Sequence, residues 1–126
     1  MFDKNRVHTA LPATDLERAR HFYADKLDLT PTVERADGLM YESGNGSAFL
    51  LYPTSISSRA GHTQAGIEVP DIESAIAELE ARGVKFEDYD TPGAKTVNGV
   101  LTEPDGSKTA WFKDSEGNLI GLVQFS

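Results

Sequence analysis

The chain repeats itself once, and that repeat limits the possible folds more than any single motif does. Asp15-Leu16-Glu17 returns as Asp71-Ile72-Glu73, and Ala19 returns as Ala75. Further on, the turn Asn45-Gly46-Ser47 returns as Glu116-Gly117-Asn118, each time ahead of an apolar strand. The first interval is 56 residues (15 to 71) and the second is 71 (46 to 117), so the second copy is 15 residues longer, an insertion that fits the Asp90–Glu103 segment. At the shorter interval His8 falls on Gln64. Each copy reads as a strand, a helix and three strands. A helix covers only one face of such a sheet, which leaves the other face to line a cavity.

The local patterns support this division into a first module over about 5–53, a linker over about 54–61 and a second module over about 62–126, all within one domain. Val7, Thr9 and Leu11 alternate with His8, Ala10 and Pro12, as in a strand with one face on a core. Thr14 is the expected helix cap, with Glu17 completing a capping box, and the helix is predicted over about Asp15–Leu27. Leu16, Ala19, Phe22, Tyr23 and Leu27 form its apolar stripe. Strands are predicted near Thr32–Glu34, Leu39–Glu42 and Ala48–Tyr52, with Gly44-Asn45-Gly46 turning between the last two. Pro53–Gly61 lacks periodicity and reads as linker. Thr63–Val69 alternates again, Pro70-Asp71 opens a second helix and Gly83 closes it. Val84–Tyr89 is a predicted strand, Asp90–Asn98 a loop, and Gly99–Thr102 a short strand. Pro104-Asp105-Gly106 is a turn, and Ser107–Lys113 leads into the closing hairpin.

That hairpin is the most legible stretch. Trp111 and Phe112 are strand formers, and Asp114, Gly117 and Asn118 are turn residues. In the return strand Ile120 and Leu122 face one way, while Leu119, Gly121 and Val123 face the other.

Composition excludes some classes. The net charge is −8 with no basic run, which speaks against nucleic acid and gives a weak preference for cationic or neutral ligands. Cysteine is absent, so thiolate metal sites and cysteine nucleophiles are too. No apolar run is long enough to span a membrane and no basic leader is visible, so a cytoplasmic location is the expectation.

Val7-His8-Thr9-Ala10-Leu11, Asp15-Leu16-Glu17-Arg18-Ala19, Phe22-Tyr23-Ala24-Asp25-Lys26-Leu27, Ile67-Glu68-Val69-Pro70-Asp71-Ile72-Glu73 and Phe112-Lys113-Asp114-Ser115-Glu116-Gly117-Asn118 occur in an order that resembles the vicinal-oxygen-chelate superfamily. That group includes glyoxalase I, extradiol dioxygenases, fosfomycin-resistance enzymes and bleomycin-resistance proteins. The resemblance covers nearly the whole chain. One departure is Asp28, where the family usually has glycine. The resemblance implies an α+β fold of two tandem βαβββ modules, a U-shaped mixed sheet cupping a small ligand, and often a homodimer.

It also implies where metal would bind. Metal-dependent members use four positions, on the first and last strands of each module. Here these are His8, Leu50, Gln64 and Gly121. Imidazole and an amide oxygen are usable ligands, but leucine and glycine offer no side-chain donor. His8 and Gln64 are therefore weak metal candidates, and no cofactor is expected. Glu68 shares Gln64's face but lies four residues along, about 13 Å on an extended strand.

By strand parity the cup takes His8, Ala48, Leu50, Tyr52, Gln64, Thr109, Trp111, Gly121 and Val123 with Ala10 and Gly66, and the small Ala10, Gly66 and Gly121 leave room. Aromatic faces beside a few polar groups suit a small-molecule pocket. His8 is the candidate catalytic residue, because imidazole is the natural general base near neutral pH. His21 and His62 read as surface residues. The 90–103 insertion is a candidate lid, with Lys95 reaching an acidic group of a ligand. Three functions follow: a metal-free cup sequestering a small organic or aromatic molecule, as in bleomycin resistance; a glyoxalase-like lyase, isomerase or dioxygenase using His8; or a structural dimer with a vestigial cup.

Overall fold

A computed structural model describes residues 1–58 and 61–126. The first module holds β1 (Thr9–Ala13), α1 (Leu16–Leu27), β2 (Val33–Arg35), β3 (Gly38–Glu42) and β4 (Ala48–Pro53). The second holds β5 (Ala65–Glu68), α2 (Ile72–Ala81), β6 (Asp90–Thr91), β7 (Ala94–Lys95), β8 (Leu101–Thr102), β9 (Lys108–Lys113) and β10 (Leu119–Gln124). Two four-stranded sheets result, ordered β1-β4-β3-β2 and β5-β10-β9-β8, with β6 and β7 forming a separate ribbon. In both sheets the first strand of the module lies parallel to its last, and the other pairs are antiparallel. The expected tandem α+β architecture is therefore present, its mixed sheet built as two halves.

The repeat extends to strand register. Ala10 pairs with Leu50, and Leu50 with Met40. Their repeat mates do the same: Gly66 pairs with Gly121, and Gly121 with Trp111. Each helix covers one face. Leu11, Leu39, Tyr41 and Leu51 turn toward α1, and Ala110, Phe112, Ile120 and Leu122 toward α2. Tyr41 and Phe49 stack with ring centroids 4.7 Å apart beneath Tyr23 of α1. Phe49 is half-buried, whereas a fully buried side chain such as Leu51 contributes about 1.5–3 kcal/mol to folding.

The helix ends correct one expectation and explain another. The cap of α1 is Asp15, not Thr14: Asp15 is extended (φ −133°) and its side chain accepts from the Arg18 amide at 3.0 Å. Thr14 is diverted because its hydroxyl donates to Glu116 of the second module. Asp71 caps α2 the same way, toward Ser74. At the other end of α1, Asp28 adopts the left-handed conformation, φ 57°. This is the position where relatives usually have glycine, and the backbone supplies the reason: L-residues with a Cβ resist that region, aspartate less than most. Asp28 also pairs with Arg82 at 2.9 Å, next to Gly83, whose φ of +88° suits the residue after α2.

Val84–Tyr89 does not form the predicted strand. Its backbone contact with β9 is limited to a Phe86–Phe112 bridge and a hydrogen bond from the Glu87 amide to the Trp111 carbonyl at 2.8 Å, while β8 pairs with β9 at Lys108 and Thr109. The predicted 90–98 loop instead contains the β6–β7 ribbon, followed by a tight turn at Asn98-Gly99 (φ 54° and 80°) between Val97 and Val100. Two residues of the expected linker, 59 and 60, lie outside the described residues.

Candidate functional site

Strand alternation leaves each sheet one face away from its helix, and the two faces are filled differently. On the first module, His8, Met40 and Ala48 share the open side with Ala10, Leu50 and Tyr52. A cavity of about 240 Å³ opens there, lined by Arg6, His8, Val33, Arg35, Met40, Glu42 and Ala48. His8 is exposed, and among the described residues its imidazole has no hydrogen-bond partner. Leu50 is buried and Tyr52 half-buried; neither lines this cavity. Arg6 hydrogen-bonds the Gly46 carbonyl at 2.6 Å, which holds its guanidinium against the first module's turn.

On the second module the matching space is occupied. The Trp111 indole donates from Nε1 to Thr63 Oγ1 at 2.9 Å, and Tyr89 meets its ring edge-on at 5.5 Å. A Cβ placed on Gly121 would lie 3.4 Å from both Trp111 Nε1 and the Thr63 methyl carbon. The glycine is thus what allows the indole to lie across β10. Gln64 is committed as well. Its Oε1 accepts from the Leu119 amide (3.1 Å) and the Ser58 hydroxyl (3.0 Å), and its Nε2 donates to Asn118 Oδ1 at 3.0 Å.

Of the six residues expected to form one site, the structure leaves His8 alone in the open cavity and brings Trp111 and Gly121 together in the closed one. The four positions that the family resemblance assigns to metal, His8, Leu50, Gln64 and Gly121, do not fit a divalent ion. Leu50 and Gly121 have no donor, and the amide oxygen of Gln64 already accepts two hydrogen bonds. Among the described residues, no three His, Cys, Asp or Glu side chains converge as a metal group.

Between the modules lies a buried polar cluster that the sequence reading treated only as a turn. Asp114 Oδ1 accepts from the amides of Glu116 (2.8 Å) and Asn118 (2.9 Å). Its Oδ2 accepts from the Tyr23 hydroxyl (2.7 Å) and Asn118 Nδ2 (2.9 Å). Asn118 also donates to the Pro12 carbonyl of β1 at 3.0 Å. The Glu116 carboxylate accepts from Arg18 Nε (2.7 Å), the Asp15 amide (3.0 Å) and the Ser115 hydroxyl (3.0 Å). Burial opposes ionisation of Glu116, but the Arg18 hydrogen bonds, the Asp15 amide, Ser115 and the guanidinium charge outweigh it and hold its pKa at about 2. Burial first, and the Asp114 charge second, push the Tyr23 hydroxyl well above its ordinary pKa, so it stays a donor.

A second cavity, about 480 Å³, lies on the helix side between α2 and the insertion. Ile76, Ala77, Lys95, Val97 and Val100 are among the residues lining it. Lys95 therefore borders α2; it is Tyr89, preceding the insertion, that touches the cup-side Trp111.

The cavity residues the sequence reading missed are Arg6, Val33, Arg35, Met40 and Glu42. The signal was present: the parity that places Ala48 and Leu50 also places their β3 neighbours Glu42 and Met40.

The family model for the Glyoxalase/Bleomycin resistance protein/Dioxygenase superfamily matches residues 6–122, and the chain belongs to that superfamily. A glyoxalase family protein from Enterococcus faecalis has a similar structure: TM-score 0.74, 20% identity, covering 98% of this chain and 99% of that one. A lactoylglutathione lyase from Agrobacterium tumefaciens gives TM-score 0.71 at 20% identity, over 96% and 93% of the two chains. A superfamily member from Alicyclobacillus acidocaldarius gives 0.71 at 21% identity, over 99% and 95%. At these identities the likeness extends to the fold. No protein of curated function matches the chain. Among the described residues, no helix is long and apolar enough to cross a membrane.

Proposed function

We propose that this protein binds a small organic or aromatic molecule on the open face of its first module, needs no divalent metal to do so, and sequesters its ligand as the bleomycin-resistance members of the family do. One observation carries this reading: of the four positions that hold metal in relatives, His8 alone presents a free donor, and it sits in an open cavity with apolar Val33, Met40 and Ala48. A lone imidazole is a poor cation site but a serviceable hydrogen-bonding group in a pocket. We further propose a homodimer, which the family resemblance suggests and sedimentation would test.

A thermal-shift screen of small aromatics and antibiotics tests the pocket. Compounds that raise the melting point of the native protein are expected to lose their effect on Ala48→Phe, which fills the cavity. Titration with Zn, Ni, Mn and Fe(II) tests the metal question. Stoichiometric tight binding that His8→Ala abolishes would overturn the metal-free reading.

The second reading is an enzyme, a glyoxalase-like lyase, isomerase or dioxygenase. It rests on the same unpartnered imidazole, which is placed to act as general base toward a ligand in the cavity. Turnover of a hemithioacetal or catechol that His8→Ala removes, with ligand binding retained, would favour it.

A further inference from the structure

We infer that the ligand of the first module's cavity is an organic carboxylate with a small apolar body; the inference rests on the reading that this cavity is the binding site. The whole chain carries a net charge of −8, which by itself favours cations. The cavity departs from that balance: its lining holds two guanidiniums, Arg6 and Arg35, and one carboxylate, Glu42, with Asp37 beside Arg35.

The two arginines are placed to recognise a planar anion. Arg6 is steadied by its bond to the Gly46 carbonyl and has no acidic partner among the described residues. Arg35 lies 3.4 Å from Asp37 through Nε, and among the described residues its terminal nitrogens make no hydrogen bond. A guanidinium edge with free N–H groups matches a carboxylate in a two-point geometry that neither an ammonium nor a hydroxyl can reproduce. Val33, Met40 and Ala48 supply the apolar surface for the rest of the molecule. At about 240 Å³ the space falls below the roughly 300–1,000 Å³ of pockets for drug-sized compounds, so the body is on the scale of one ring or a short chain. Glu42, at the same rim, adds discrimination: it repels a second acidic group and can accept from a ligand hydroxyl.

Benzoate, benzyl alcohol and benzylamine share a shape and differ in charge. The chain has two methionines, Met1 and Met40, so a methionine-methyl NMR spectrum reports directly on the cavity. Titrated into the intact protein at fixed ionic strength, benzoate is expected to move the Met40 methyl signal with at least ten-fold higher affinity than benzylamine. Arg6→Gln and Arg35→Gln, both at exposed positions, are each expected to weaken benzoate several-fold more than benzyl alcohol. If benzylamine binds best at Met40, the carboxylate inference fails while the cavity reading stands. If benzyl alcohol equals benzoate, charge recognition fails in the same way. If none of the three moves Met40, both fail.

Discussion

The turns at 43–47 and 114–118 are one loop built twice. In the first, the Ser43 amide donates to the Ser47 carbonyl at 2.9 Å; in the second, the Asp114 amide donates to Asn118 at 3.0 Å. Gly46 and Gly117 both take positive φ, 73° and 84°. Yet the first loop is solvent-exposed and its side chains bond locally, whereas the second is largely buried and ties together β1, α1 and Gln64 at the entry to β5. The turns share their closing hydrogen bond and their glycine, though Asn45 takes positive φ (54°) and its mate Glu116 does not; one is a surface turn and the other the clasp between modules. The two cup faces diverge in parallel: Leu50 and Met40 belong to an open face, while their mates Gly121 and Trp111 close theirs. Duplication supplies matched frames, and side chains decide which copy holds the molecule together and which keeps space for a ligand.

Removing Asp114 gives the widest contrast. Asp114→Ala leaves four donors without an acceptor in a buried site and is expected to cost about 3–5 kcal/mol. Its mate change, Ser43→Ala, is expected to stay within about 0.5 kcal/mol. Urea unfolding of the two variants measures the difference, and equal losses would break the comparison.

Acid should expose the clasp next. The folded pKa of Glu116 is held at about 2, below its ordinary 4.5. The stabilisation is therefore complete above about pH 4.5 and is lost as pH falls toward 2; its size is on the order of 3 kcal/mol. Glu116→Gln should be less stable at neutral pH and show a flatter stability profile across that window. Identical acid profiles would remove Glu116 from the clasp.

Smaller effects test the closed cup. Gly121→Ala brings a methyl against the Trp111 indole and Thr63, and is expected to cost about 1–2 kcal/mol and to shift the fluorescence of the only tryptophan. Gly66→Ala meets only the Gly121 carbonyl oxygen, at 4.0 Å, and should leave that emission unchanged. The least change is expected from Asp28→Gly. Relief of the left-handed strain, about 1 kcal/mol, is partly offset by loss of the Arg82 pair, for a net gain below about 1 kcal/mol in thermal unfolding.

The fold was legible because its determinants are local and come twice: helix-opening aspartates at 15 and 71, turn glycines at 46 and 117, and alternating strands. The failures came where distant residues compete. Thr14 has the chemistry of a cap, but a glutamate from the far end of the chain claims its hydroxyl. Val84–Tyr89 has strand composition, but its backbone meets β9 only at Phe86 and Glu87 and shares that edge with β8, at the far end of the insertion. Asn98-Gly99 carried a hairpin signal that its surrounding loop composition obscured. Parity placed Trp111 and Gly121 on the cup side, but no alternation rule says that the indole lies down on the glycine and fills the space it leaves. Likewise, Glu116 reads as an exposed turn residue until α1 brings Arg18 beside it.

The central claim is that the first module's face is open to ligand while Trp111 closes the second. Crystals soaked with mixed small organic fragments test it most directly. The account predicts fragment density between His8 and Met40, with Trp111 still bonded to Thr63. Density resting on Gly121, with the indole swung away and the first module's face empty, would contradict it.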